Sequence, residues 1–242
     1  MSASENSSAP DVDPQTLARL AGGLAHELKN PLSTIGLHLS LMAEDWHGEH
    51  GVKARRTAKT VGILQHEVER LNGILEDFLR YARTDSLETH CGSLNLVVEQ
   101  VERFATPEAK RHGIHLRSYL DMSLPEFNMD RGRLRQALLN LIINARQAME
   151  KRRSGSISLI TRRDGPWAIV EVMDDGPGMD ETTLARCFEV YFSTKGGGSG
   201  LGMAIVRRIV EAHHGTMEVQ STLGKGTQVT LRLPLNLENQ VG

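Results

Sequence analysis

Residues 130–179 read DRGRLRQALLNLIINARQAMEKRRSGSISLITRRDGPWAIVEVMDDGPGM, and two periods meet in that stretch. Asp130–Glu150 carries Leu, Ile and Ala at helical spacing, which predicts a strong amphipathic helix. Ser156–Ile160 and Trp167–Met173 alternate with a period of two, which predicts paired strands. Working outward, Leu94–Phe104 reads as helix and Ile114–Leu120 as strand. Leu201–Ala212 reads as helix with Gly215 as its C′ residue, and Thr216–Gln220 and Thr227–Leu233 as closing strands. Strands interspersed with helices over about 140 residues predict an α/β sandwich, with helices on one face of a mixed sheet.

Upstream of residue 93 the pattern is of another kind. A first helix, Pro14 to Trp46, follows Asp13 as N-cap and carries the seam Leu17, Leu20, Leu24, Leu28, Leu32, Ile35, Leu39, Met42 and Trp46. A second carries Val61, Leu64, Val68, Leu71, Leu75, Phe78 and Ala82, whose steps of three and four make a coiled-coil heptad. The polar stretch His47–Gly51 joins the two into a hairpin. One hairpin covers only part of its apolar stripe. Pairing of two hairpins into a dimeric four-helix bundle is the expected remedy, and packing against later segments of the same chain is the other. The expected plan is a disordered tail at 1–13, the hairpin at 14–84, a linker at 85–93, the α/β domain at 94–235 and a short tail at 236–242. The fold class is therefore multidomain, α followed by α+β.

That plan uses nearly all of the 242 residues. Twenty-eight Lys and Arg against 30 Asp and Glu leave a net charge of −2, which gives no general drive toward nucleic acid or anionic membrane. No apolar run approaches the ~20 residues of a membrane span, and Met1–Pro10 is polar rather than a signal peptide. Cys91 and Cys187 lie far apart without metal-ligand spacing, so neither a disulfide framework nor a zinc site is expected, and a cytoplasmic chain is. Thirteen of the 23 glycines follow residue 150, which suits loops around a ligand.

His26 lies two residues from both Leu24 and Leu28, about 200° around the helix from Leu24 at ~100° per residue, and so faces away from the seam. Asn30-Pro31 comes one turn on, and proline there predicts a bend near His26. A neutral imidazole is a competent nucleophile when one nitrogen keeps its lone pair. A carboxylate accepting the other N–H holds that tautomer and stabilises the charge that develops on attack. Glu27 is placed to be that carboxylate; an ordinary surface histidine is the plain alternative.

Asn140 and Asn144 share one face of an otherwise apolar helix, where amides need partners, either a ligand or each other's surroundings. Amide oxygens are hard ligands suited to a Mg²⁺ that also carries phosphate and water. In MDDGPGM (173–179) an Asp at a strand end followed by close glycines lets backbone approach a flat ring, with Asp174 accepting from an exocyclic amine. STKGGGSGLGMAIVRRIVEAHHG (193–215) runs a glycine-dense loop into a helix whose N-terminus, near Leu201–Met203, offers N–H groups to phosphate. It lacks the Gly-Lys-Ser/Thr ending of a P-loop and is no dinucleotide fingerprint.

LAGGLAHELKNPLSTI (20–35) closely resembles the phosphoacceptor box of sensor histidine kinases, His-Glu-x-x-Asn-Pro-Leu. The resemblance implies that His26 takes phosphate from ATP, that Glu27 is its acid/base partner, and that Asn30 sits where many such kinases position water to dephosphorylate their partner. The later motifs resemble the ATP-binding domain shared by these kinases with gyrase-type, Hsp90-type and mismatch-repair ATPases. By motif, Asn144 matches the Mg²⁺ ligand, Asn140 the preceding polar position, and Asp174 the adenine-reading carboxylate with Gly176 and Gly178 around the base. Gly198, Gly200, Leu201 and Gly202 fall in the second glycine box at the phosphates; Phe188 and Phe192 with Ser193-Thr194-Lys195 match the Phe-containing box, with Lys195 in reach of the γ-phosphate; and Gly224-Lys225-Gly226-Thr227 matches the last glycine box. QALLNLIINARQAM and FSTK point to the nitrogen-regulation-like subgroup, with a departure at Val190-Tyr191, where that subgroup has Pro-Phe.

Taken as a whole, the resemblance implies an ATP-dependent protein-histidine kinase that autophosphorylates and passes the phosphoryl group to an Asp of a response-regulator receiver domain, and that also acts as its phosphatase. It works as a homodimer through residues 14–84. An ATPase or ATP-gated clamp of the same fold is the alternative, although those carry a Glu where this chain has Asn140; a non-catalytic dimeric scaffold is the third reading. The signal comes from a separate sensory partner, or the chain is the catalytic part of a longer kinase.

Overall fold

The computed structural model describes residues 32–42, 59–66, 68–69, 71–73, 75, 87–150, 152, 154–189, 192 and 200–235. The chain divides into two compact units, Met1–Asp85 and Ser86–Gly242.

In the first unit, helix α1 is described over residues 32–42 and helix α2 over residues 59–66, 68–69, 71–73 and 75. Gly36 faces Val68, and Gln65 Nε2 donates to Ser40 Oγ at 3.2 Å, so the helices run antiparallel. Leu32, Leu39, Val61 and Val68 form the core between them, and Leu75 is buried too. The expected seam divides by heptad position. Leu32 and Leu39, like Val61, Val68 and Leu75, recur every seven residues and turn inward. The alternate heptad position stays in solvent: Ile35 is 48%, Met42 45%, Leu64 47% and Leu71 41% exposed. The predicted joint at His47–Gly51 lies outside the described residues.

The second unit runs β1 (His90–Gly92), α3 (Leu94–Arg111), β2 (Ile114–Tyr119), β3 (Phe127–Met129), α4 (Arg131–Ala148), β4 (Gly155–Asp164), β5 (Trp167–Asp174), α5 (Glu181–Arg186), α6 (Gly202–Ala212), β6 (Thr216–Thr222) and β7 (Gly226–Pro234). Five strands form a mixed sheet in the order β2-β4-β5-β7-β6, with β2 parallel to β4 and every other pair antiparallel. Period-two burial aims Ile157, Leu159, Val170, Val172, Val229 and Leu231 at the helices. Helix α4 answers with Leu134, Ala137, Leu138, Leu141, Ile142 and Ala145, and α6 with Ala204, Ile205, Val206, Ile209 and Val210. Side-chain oxygens cap three helices at their N-termini: Ser93 for α3, Asp130 for α4 and Asp180 for α5.

Several expectations need correction. The stretch 85–93 is not wholly linker: His90–Gly92 pairs antiparallel with Phe127–Met129 as a separate two-stranded ladder. The backbone N–H of Glu88 also reaches Asp130 Oδ2, at 3.1 Å. Helix α3 continues past Phe104 to Arg111 despite Pro107, with the Thr106 hydroxyl donating to the Glu102 carbonyl at 2.6 Å beside the bond that proline removes. Gly215 is not the left-handed residue that ends α6; His214 is, at φ 57°. Glycine is required at 215 for a different reason, because a Cβ there would collide with the Arg232 carbonyl on β7.

His213 ties α6 to α4. Its Nδ1–H donates to the Ile209 carbonyl at 2.7 Å, and its Nε2 accepts the Asp130 N–H at 3.0 Å, an arrangement open only to the neutral ring. Burial pushes its pKa below the ordinary 6.5, against the pull of the Ile209 bond and Asp130. Below about pH 6.5 the unfolded chain therefore binds a proton that the folded one refuses, and stability falls as the solution is acidified. Urea titrations of the chain from pH 8 to pH 5 should show this loss, and His213→Gln should flatten it.

Candidate functional site

Strand β5 ends in two adjacent carboxylates, and the fold separates their tasks. Asp175 accepts from the Ser156 N–H and the Ser156 hydroxyl, both at 2.9 Å, and Arg152 stands 3.8 Å away. It fastens the start of β4. Asp174 lies on the helix-facing side of the sheet, in register with Ile157 on β4 and Thr227 on β7, and its Oδ1 accepts the Gly176 N–H at 2.9 Å. A Cβ on Gly176 would sit 2.6 Å from that oxygen and 3.3 Å from Met149 Cγ. Met149, the C-cap residue of α4, is buried beneath the turn and floors the site.

The turn after Asp174 closes against the β6–β7 hairpin. Gly178 (φ 66°) lies so near the Thr222 carbonyl that a Cβ would strike it, and Gly224 N–H donates to the Pro177 carbonyl at 2.6 Å. Gly226 (φ 100°) lies equally close to the Asp174 carbonyl. Ser221 Oγ joins the two loops, accepting the Met179 N–H at 2.8 Å, donating to the Gly226 carbonyl at 2.9 Å and contacting Thr227 Oγ1 at 3.0 Å.

The other wall is α4 with the start of α6. Asn140 and Asn144 are half-buried one turn apart on α4. Gly202 opens α6, and a Cβ there would lie 3.4 Å from both terminal atoms of the Asn144 amide, so the missing side chain leaves room at that amide. Gly200 takes φ 69°, and the N-cap residue Leu201, fully buried, has no side-chain oxygen with which to cap the helix. The positive end of α6 thus opens beside Asn144 without the carboxylate or hydroxyl cap found on α3, α4 and α5. This combination of an acceptor at a strand end, a hard amide oxygen and a helix N-terminus whose N-cap residue has no polar side chain suits an amino-bearing ring joined to phosphates. Burial pushes the thiol of Cys187 above the ordinary range, which disfavours the reactive thiolate. Phe188 and Phe192 are each covered by a guanidinium, Arg207 at 5.4 Å and Arg186 at 4.2 Å.

Residues 129–237 match the Histidine kinase-, DNA gyrase B-, and HSP90-like ATPase family, and residues 16–87 match the His Kinase A (phospho-acceptor) domain. The chain belongs to the sensor histidine kinases. It is 36% identical over 221 residues to the sensor histidine kinase ZraS of Escherichia coli K12, covering 91% of this chain and 46% of that one. Among solved structures, full-length ShkA in complex with AMPPNP superposes with a TM-score of 0.70 at 29% identity, over 90% of this chain and 46% of ShkA. The catalytic domain of the histidine kinase ThkA gives 0.56 at 25% identity, over 62% of this chain and 99% of that domain. The chain spans about half the length of the curated kinases it matches, 47% and 46% of the first two.

The described residues bring Asp174, Gly176, Gly178 and Thr227 together at the end of β5, and Asn144, Leu201 and Gly202 together at the start of α6. His26, Glu27, Asn30, Lys195 and Gly198 lie outside the described residues. Met149 and Ser221 carry no signal in the sequence, whereas Gly226 lies in the last glycine box, Gly224-Lys225-Gly226-Thr227. Gly226→Ala should lower the melting temperature by roughly 5–10 °C, because a left-handed residue with Cβ costs about 1–3 kcal/mol before the collision with Asp174 is counted. Calorimetry checks this. No helix among the described residues is long and apolar enough to cross a membrane.

Proposed function

We propose that this chain is an ATP-dependent protein-histidine kinase that autophosphorylates His26 and hands the phosphoryl group to an aspartate of a response-regulator receiver domain, in the cytoplasm. The observation that carries the reading is the conjunction, in one chain, of a phospho-acceptor domain match around His26 and a pocket in which Asp174 faces Thr227 across the sheet. Residues 14–84 make the dimerising hairpin and 94–235, with β1 before them, the ATP-binding domain. The exposed heptad positions Ile35, Met42, Leu64 and Leu71 support a homodimer, since a second hairpin would bury them.

Within the pocket, Asp174 and Thr227 take the amino edge of adenine, Met149 and Gly176 lie under the ring, and Gly178 lets the loop close on it. The N-terminus of α6 at Gly200, Leu201 and Gly202 takes the phosphates, with Gly198 in the loop before it and Lys195 on the γ-phosphate. Asn144, with Asn140 a turn earlier, offers the hard oxygen that a Mg²⁺ requires, and the space left by Gly202 at that amide fits such an ion on a nucleotide. Bound Mg²⁺ would neutralise charge on the phosphate oxygens. A His26 nitrogen attacks the γ-phosphorus in line. An N–P bond forms as the bond to the ADP oxygen breaks, and Glu27 takes the proton from the ring. Asn140 carries no carboxylate to activate water, so the phosphoryl group is kept for the imidazole. Asn30 positions water for the opposing phosphatase reaction, in which water attacks the phosphorus of the partner's phosphoaspartate and the carboxylate leaves, releasing inorganic phosphate.

Incubation with γ-labelled ATP tests the reading. The label should be acid-labile and base-stable, as a phosphoramidate is; acid-stable label, or none, would overturn it.

A further inference from the structure

The Ser221 hydroxyl makes three contacts and owns one proton, and that count fixes the polarity of its neighbour. Met179 N–H donates to Ser221 Oγ at 2.8 Å. The Gly226 carbonyl, 2.9 Å away, carries no proton, so the contact is attractive only if the proton of Ser221 points at it. Thr227 Oγ1 lies 3.0 Å from the same oxygen, and two hydroxyl oxygens at that distance also need a proton between them. With that of Ser221 already spent, it is the proton of Thr227. The Thr227 hydroxyl therefore donates back to Ser221 and turns only lone pairs toward the site.

From this we infer that Ser221 is a specificity-determining residue that holds Thr227 as an acceptor and thereby selects an amino over a keto purine. The inference rests on the reading of Asp174 and Thr227 as the base-reading pair. These two stand directly opposite in register on the helix-facing side of the sheet. Asp174 as a carboxylate can only accept, so with Thr227 locked the pair presents acceptors alone. The 6-position of adenine carries an amine with two donors; that of guanine carries a carbonyl oxygen, which would meet lone pairs on both sides. Ser221 touches no base. It acts through Thr227 and through the two loops it joins, and is a positioning residue.

Calorimetric titration of the full chain with ADP and with GDP tests this without any turnover. The unmutated chain should prefer ADP by about 100-fold or more. Ser221→Ala frees the Thr227 proton to rotate toward a keto oxygen, and should narrow that preference about 10-fold while ADP affinity falls less than about 5-fold. Ser221→Thr keeps the hydroxyl and should restore the preference. Thr227→Val removes the oriented acceptor and should narrow the preference to a similar degree, and adding Ser221→Ala to it should change the ratio no further. Ser221→Thr and Thr227→Val keep the question open to measurement if Ser221→Ala fails to fold. An unchanged ADP-to-GDP ratio in Ser221→Ala or in Thr227→Val, or an equal loss in Ser221→Thr, would overturn the inference. Absence of ADP binding by the unmutated chain would instead overturn the reading of the site on which it rests.

Discussion

His26→Asn is expected to abolish the acid-labile label from γ-labelled ATP, a loss of at least about 1,000-fold, while ADP affinity stays within twofold of the unmutated chain. The asparagine amide is close to imidazole in reach, but its nitrogen lone pair is delocalised into the carbonyl and cannot attack phosphorus. Since His26 falls in the phospho-acceptor match at 16–87 and the nucleotide site falls in the ATPase match at 129–237, the two losses should separate cleanly. Glu27→Gln should reduce the labelling rate by about 100-fold or more without removing the label, because it takes away an acid/base group and leaves the nucleophile. Filter-bound radioactivity after alkaline and acid washes checks both. Label that persists in His26→Asn would locate the phosphoacceptor elsewhere.

Asp174→Ala is expected to weaken ADP binding by about 100-fold, the upper range for losing a hydrogen bond to a charged group, with the Gly176 turn released as well. The neighbouring Asp175→Ala is the control that gives the result meaning. Both changes remove one carboxylate from the same strand end. Asp175, however, is engaged with Ser156 and Arg152, so its loss should lower stability and leave ADP affinity within a few-fold. Titration calorimetry and thermal melts of the two variants read the two effects separately, and equal affinity losses would contradict the division of labour between them.

That division marks where the sequence stopped being informative. Period alone placed α4, β4 and β5, because each runs long enough to repeat its pattern several times. Three-residue strands have no period, so β1 and β3 were invisible, and the polar wording of 85–93 suggested only a linker. The end of α6 misled for a related reason. His214-Gly215 reads as a glycine cap, but Gly215 answers to the backbone of a strand 17 residues later, and no local rule carries that distance. The seam of the first unit was legible in spacing, yet which heptad position turns toward the sister helix is set by how Gly36 meets Val68. At the site, residue types pointed to a nucleotide, whereas the floor residue Met149 and the hydroxyl of Ser221 depend on which loops meet.

The small ladder of β1 on β3 bears on how the second unit could be cut and transplanted. A fragment trimmed to 129–237, the span of the ATPase match, would discard β2, the parallel neighbour of β4, and would leave one side of the sheet bare. Starting instead at Leu94 would keep the sheet but strip β3 of its partner and Asp130 of the Glu88 N–H, offering an open edge to the next molecule. The smallest portable cassette therefore begins near Ser86, and chimaeras that graft this nucleotide unit onto another hairpin should place their junction there rather than at the first turn of α3.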